Sequence, residues 1–125
     1  MTKSVLITDD EPNLLLSLKF LMKESGFDDV RTASDGEATL NEVVKQAPDL
    51  LLLDIDIPKR NGYDVCQTVR ALPHCKDMKI VMLSAKDRQT EREKGLALGA
   101  DDYITKPFSI DTLANAVKAV MGDPG

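Results

Sequence analysis

Asp9, Asp10, Asp54, Ser84 and Lys106 each stand at the end of a short apolar run, and together they offer carboxylates, a hydroxyl and an ammonium group. Carboxylates brought together repel: at about 4 Å, two full charges cost roughly 4 kcal/mol at an effective dielectric near 20. Such a cluster needs a compensating cation. An all-oxygen donor set with few protein groups suits Mg2+ (or Mn2+) better than zinc. Asp54 is the first candidate for chemistry. It closes the run Leu50-Leu51-Leu52-Leu53 and precedes a loop punctuated by Pro58, Asn61 and Gly62. A carboxylate carried by an apolar strand to its exposed end escapes a burial cost of several kcal/mol.

What must position these residues is an alternation of strands and helices. Strand-like runs cover Ser4 to Thr8, Asp29 to Thr32, Leu50 to Asp54, Ile80 to Ser84 and Asp102 to Thr105. The four consecutive leucines read as a strand buried on both faces, as in parallel sheets. Helical patterns lie between these runs. The first opens at Pro12, carries Leu14, Leu18, Leu21 and Met22 as one stripe, and is closed by Gly26. The second is expected from an N-cap at Asp35 to just before Pro48, and the third from about Tyr63 to Leu72, stopped by Pro73. The fourth, near Thr90 to Leu98, has a thin apolar stripe and an interior glycine, Gly95, so it is expected to be weak. The fifth follows Ser109 and carries Ile110, Leu113, Ala114 and Val117 on one face.

Five βα units in series predict an α/β fold: a doubly wound, five-stranded parallel sheet with helices on both faces. Right-handed crossovers put every C-terminal strand end on one edge, and ligands bind outside that edge. The five residues named first belong there. Asp28-Asp29 and Asp101-Asp102 fall at the opposite edge and read as solvated strand starts.

With 125 residues, 42% hydrophobic and 30% charged, the chain is expected to form one compact domain. No apolar run approaches the roughly 20 residues of a membrane span. Met1-Thr2-Lys3 opens no signal-peptide pattern, so no membrane association and a cytoplasmic location are expected. A net charge of −5 without a Lys/Arg patch argues against direct nucleic-acid binding. Cys66 and Cys75 are expected to be buried or idle thiols in a reducing compartment. The single histidine, His74, beside Pro73, is expected at the surface and not as a phosphocarrier.

The chain resembles the receiver domain of two-component response regulators over essentially its whole length. The matching motifs are Thr8-Asp9-Asp10-Glu11-Pro12, Leu53-Asp54 followed by Pro58 and Gly62, Leu83-Ser84-Ala85, and Tyr103-Ile104-Thr105-Lys106-Pro107-Phe108. Each is weak alone; their order and spacing together are specific. The resemblance implies that 1–122 form a receiver domain and 123–125 a C-terminal tail or the start of a linker. It implies the strand order 2-1-3-4-5. Asp54 would be the phosphoacceptor, taking a phosphoryl group from a sensor histidine kinase, a histidine phosphotransfer protein or a small-molecule donor. Asp10, Asp54 and the backbone carbonyl of Asp56 would bind Mg2+ directly, with Asp9 on a metal-bound water. Lys106 would pair with the phosphoryl oxygens, Ser84 would hydrogen-bond to one, and the Lys106-Pro107 bond would be cis.

The resemblance also implies how a signal leaves. Ser84 moves toward the phosphoryl group, Tyr103 turns inward, and the face of helix 4, strand 5 and helix 5 is remodelled for an output partner or output domain. The protein would be a monomer that can dimerise on phosphorylation. It would catalyse only its own phosphorylation and dephosphorylation, and so would not be a stand-alone enzyme. Asp56 and Lys86, two positions after Asp54 and Ser84, would flank the phosphoryl group and tune its lifetime. A carboxylate at the first of these positions departs from the family's usual hydrophobic or amide residue. Three other readings compete. Asp54-Ile55-Asp56 also matches the core of haloacid-dehalogenase-type phosphatases, but that family puts its Asp-x-Asp on the first strand and its acidic pair last. A flavodoxin-like module would have Ser, Thr and Gly after strand 1, where this chain has Asp-Asp-Glu-Pro. A degenerate receiver would lack one of the five key residues, and none is missing.

Overall fold

A computed structural model of the chain describes residues 3–122. Met1, Thr2 and the expected tail at 123–125 lie outside the described residues. Five strands, β1 (Ser4–Thr8), β2 (Asp29–Ala33), β3 (Leu50–Asp54), β4 (Lys79–Ser84) and β5 (Asp102–Thr105), alternate with five helices. The helices are α1 (Pro12–Glu24), α2 (Gly36–Lys45), α3 (Gly62–Arg70), α4 (Gln89–Ala97) and α5 (Ile110–Met121). The strands form one parallel sheet in the order β2-β1-β3-β4-β5. This is the doubly wound order that the resemblance implied.

The alternation of side chains along each strand builds two cores. Leu50 and Leu52 of β3 join Val5, Ile7, Val81 and Leu83 against Leu18 and Met22 of α1 and Leu113 and Val117 of α5. Leu51 and Leu53 join Leu6, Ile80 and Met82 against Leu40 and Val43 of α2 and Val65, Cys66 and Val69 of α3. All four leucines are fully buried, as a central strand of a parallel sheet requires.

Local signals set most helix ends. Pro12 occupies the first turn of α1, and Gly26 follows the helix at φ +98, a conformation that favours glycine. The Asp35 and Ser109 side chains accept the N–H groups of Ala38 and Thr112, as N-caps do. Asn61 caps α3 in the same way, one residue earlier than expected. At its other end α3 stops at Arg70 and not Leu72, because Pro73 opens a short 3-10 turn with Cys75. In α5, Leu113 and Val117 face the core, but Ile110, in the first turn, is exposed. Helix α4 buries only Gly95. A Cβ at that position would lie 2.7 Å from Met82 Sδ and 3.1 Å from the Tyr103 ring, so the glycine lets α4 approach the sheet.

The acidic pairs at the N-terminal strand edge are not simply solvated. Asp101 accepts the Ile80 N–H at 2.8 Å and pairs with Arg70 at 2.9 Å, tying α3 to β4. Asp28 accepts the Lys3 N–H. Both cysteines are free and buried. Burial pushes the Cys66 thiol up to about 11, which leaves it inert as a nucleophile. His74 is exposed in the turn after α3, with its Nε2 3.3 Å from the Val43 carbonyl. No described helix is long and apolar enough to cross a membrane.

Candidate functional site

The C-terminal strand edge gathers the residues singled out by type. Asp54 ends β3, Ser84 ends β4, Asp9 and Asp10 follow β1, and Lys106 follows β5. Carboxylate oxygens of Asp9, Asp10 and Asp54 all lie within 4.8 Å of one another. Lys106 Nζ stands 2.7 Å from Asp9 Oδ2 and 3.3 Å from Asp54 Oδ2. The peptide bond between Lys106 and Pro107 is cis.

Two of the carboxylates are deep and one is not. Asp9 is fully buried and Asp54 nearly so, whereas Asp10 is exposed. The Asp9 side chain also accepts the Glu11 N–H at 3.0 Å, and Asp54 Oδ1 accepts the Asp56 N–H at 3.1 Å. Burial pushes the Asp54 carboxyl above its ordinary value; the Lys106 charge opposes this and the Asp9 charge adds to it. Burial alone would lower the Lys106 ammonium, but its bond to Asp9 and the charge of Asp54 outweigh that and raise it. One ammonium against three carboxylates leaves a negative excess in a low-dielectric cleft. A divalent cation fits that excess, and the donors are the hard oxygens that Mg2+ takes.

Around Asp54 the neighbouring groups are already engaged. The Ser84 hydroxyl accepts the Lys86 N–H at 3.0 Å and donates to Asp56 Oδ2 at 3.4 Å. Asp56 Oδ1 lies 3.5 Å from Lys86 Nζ, with both side chains about half exposed. Tyr103 is turned inward here: it is 1% exposed and its hydroxyl donates to the Lys86 carbonyl at 2.9 Å. The inward position expected to follow phosphorylation is thus the one the ring occupies in this structure. The space is supplied by Gly95, and Arg92 covers the ring at 5.3 Å.

Three residues of this neighbourhood belong to no chemical motif. The Tyr63 hydroxyl, from the first turn of α3, donates to Glu91 of α4 at 2.6 Å, and Lys94 lies over the Tyr63 ring at 4.3 Å. Their only trace in the sequence is a tyrosine where α3 turns its apolar side to the core. The pairing itself depends on where α4 docks.

The arrangement can bind a divalent cation beside an ionisable, nearly buried carboxylate. It can also present a lysine and a hydroxyl to an anion attached there. Comparison with known proteins agrees with this. A model of the response regulator receiver domain matches residues 5–118. The chain is 42% identical over 121 residues to the alkaline phosphatase synthesis transcriptional regulatory protein PhoP of Bacillus subtilis, covering 97% of this chain and 49% of that protein. It therefore spans about half the length of that curated relative. Among solved structures, the chemotaxis response regulator CheY4 of Vibrio cholerae is 27% identical with a TM-score of 0.90, over 96% of this chain and 99% of that one. A BeF3-activated DrrB receiver domain is 28% identical with a TM-score of 0.87, over 98% and 99%.

Proposed function

The chain belongs to the response regulator receiver domain family, and we propose that it is a switch operated by phosphorylation of Asp54. The observation that carries this reading is Asp54 itself, nearly buried at a strand end between Lys106 and two further carboxylates. Asp10, Asp54 and the Asp56 carbonyl would hold Mg2+, with Asp9 on a metal-bound water; when bound, the cation supplies positive charge to the transferring phosphoryl oxygens. Lys106 is already within ion-pair reach of Asp54 and needs little movement to meet those oxygens. An Asp54 oxygen attacks phosphorus in line. The donor's P–N bond in a phosphohistidine, or P–O bond in acetyl phosphate, breaks, and the imidazole or acetate leaves with the electron pair.

Phosphorylation replaces one negative charge by up to two and adds acceptor oxygens. Ser84 then exchanges its long bond to Asp56 for a bond to the phosphoryl group. The Lys86 backbone, which holds both Ser84 Oγ and the Tyr103 hydroxyl, carries that movement to the face of α4, β5 and α5. An output partner or output domain reads the change. The protein catalyses only its own phosphorylation and dephosphorylation. A phosphodonor protein carrying a phosphohistidine would approach along α1, where Leu16 and Phe20 are exposed and lead through Leu14 and Phe108 to Lys106.

The test is intact-mass analysis after incubation with acetyl phosphate and Mg2+. One added phosphoryl group is expected in the wild type, with none in Asp54→Asn or in chelator. If neither phosphorylation nor a beryllofluoride complex forms, the phosphorylation switch is abandoned for a constitutive binding domain. Following the decay of the added mass also tests Asp56, whose carboxylate stands beside Ser84 and Lys86. Asp56→Asn is expected to change the phosphoryl half-life several-fold by altering how the attacking water is positioned or repelled; an unchanged half-life removes that role.

A further inference from the structure

We propose that Gly36, the first residue of α2, is a positioning residue for the divalent cation, because it lets the β3–α3 loop dock on the N-terminus of α2 and so fixes the Asp56 carbonyl. The inference rests on the metal-binding reading above. Residues 55–61 connect β3 to α3, and only their first part reaches the core. Ile55 and Ile57 are buried, while Asp56, Pro58 and Lys59 are exposed. Burial of Ile55 and Ile57 anchors the start of the loop, but it does little to set residues 58–60, and backbone contacts must do so.

Those contacts close both ends. At the α3 end, the Gly62 N–H donates to the Ile55 carbonyl at 2.8 Å, and a Cβ on Gly62 would lie 2.6 Å from Ile55 Cα. At the other side, the Gly36 N–H donates to the Pro58 carbonyl at 3.1 Å. A Cβ on Gly36 would lie 2.5 Å from the Arg60 carbonyl oxygen and 2.7 Å from Arg60 Cβ. The Arg60 N–H turns back to the same Pro58 carbonyl at 2.9 Å. Asp35 joins the two elements through one carboxylate: Oδ1 caps α2 at Ala38 N, and Oδ2 lies 3.6 Å from Lys59 Nζ. Lys59 itself sits at φ +70, a conformation that costs a side-chain-bearing residue energy and persists only where its surroundings enforce it.

The role of Gly36 differs from that of an ordinary turn glycine. Its φ is not left-handed, so alanine is compatible with its backbone and would favour α2 on helix propensity alone. What alanine cannot do is leave room for the Arg60 carbonyl. The loop must then shift as a backbone unit, and the Asp56 carbonyl shifts with it. The ion pair of Asp35 with the well-exposed Lys59 is the weaker of the two ties.

Isothermal titration of the apo protein with MgCl2 tests this, using the metal alone. Gly36→Ala is expected to raise the Mg2+ Kd roughly 10-fold, the lower range for groups that orient metal ligands from outside. Val43→Ala, which trims a core side chain near the other end of α2, is expected to lower Tm and leave the Kd unchanged. A folded Gly36→Ala that binds Mg2+ as the wild type does overturns the proposal. So does an equal loss of affinity in Val43→Ala, because the effect would then be general destabilisation. Should Gly36→Ala fail to fold, Asp35→Ala removes both the cap and the tie to Lys59. A rise in its Kd is expected, and an unchanged value overturns the proposal equally. A wild type that binds no Mg2+ would instead remove the metal-binding reading itself.

Discussion

Asp54 is held in a state that favours its function over the stability of the chain. Burial and the Asp9 charge push its carboxyl above the ordinary value, and Lys106 only partly offsets them. A carboxyl whose folded pKa exceeds its unfolded one binds its proton more tightly in the native state. Stability therefore falls as pH rises from the ordinary carboxylate range through the folded value, and the loss is complete once both states are ionised. In chelator at pH 7, Asp54→Asn is accordingly expected to melt a few degrees higher than the wild type, with a gap that narrows as pH falls toward about 4. Melting curves at both pH values check this; a gap that does not change with pH would mean that the charge of Asp54 is not the cause. Added Mg2+ should raise the wild-type melting temperature more than that of the variant. Asp10 repels the same neighbours but is exposed, so Asp10→Asn should gain less.

At the scale of elements, α4 is the helix least secured by apolar burial, since Gly95 alone is buried. What fastens it is a pair of tyrosines. Tyr63 reaches it from α3 through Glu91, and Tyr103 accepts Arg92 on both its ring face and its carbonyl. The phenol bond holds the Glu91 carboxyl below its usual range. Tyr63→Phe keeps the ring and removes that bond. Faster amide hydrogen exchange is expected in α4, with α1 and α5 unchanged. Equal acceleration throughout would show that the bond serves global stability and not the hold on α4. This helix was also the least legible in the sequence. Its start at Arg88 has no side-chain cap, and Gly95 reads locally as a weakness. Its value lies in Met82 and Tyr103, contacts that no local pattern encodes. The helices with Asp35, Ser109 and Pro12 at their starts carry local chemical signals, and those starts were legible in the sequence.

For the molecule as a whole, the site was legible because a parallel sheet converts sequence position into place: every strand end falls on one edge. Types at those ends then named the site. What the order of residues does not contain is partner choice, such as Lys106 meeting Asp9 from 97 positions away. Nor does it reveal which apolar residues stay outside. Leu16, Phe20 and Ile110 are 70%, 68% and 68% exposed, although Phe20 and Leu16 sit in a helix rich in leucine. With Leu14, Leu21 and Phe108 they line one apolar groove between α1 and the start of α5. Leu14 and Phe108 also line the hollow beside Lys106, so the groove runs up to the lysine that pairs with Asp54. A surface that exposes apolar groups next to a reactive carboxylate suits a protein that must dock to deliver its phosphoryl group. A small donor has no use for it. Phe20→Ser should therefore slow transfer from a phosphorylated histidine phosphotransfer protein by about 10-fold or more, as loss of a buried aromatic contact does, while the rate with acetyl phosphate stays as it was. Equal slowing with both donors would place the effect inside the fold, and no slowing with either would free the groove from any part in phosphotransfer.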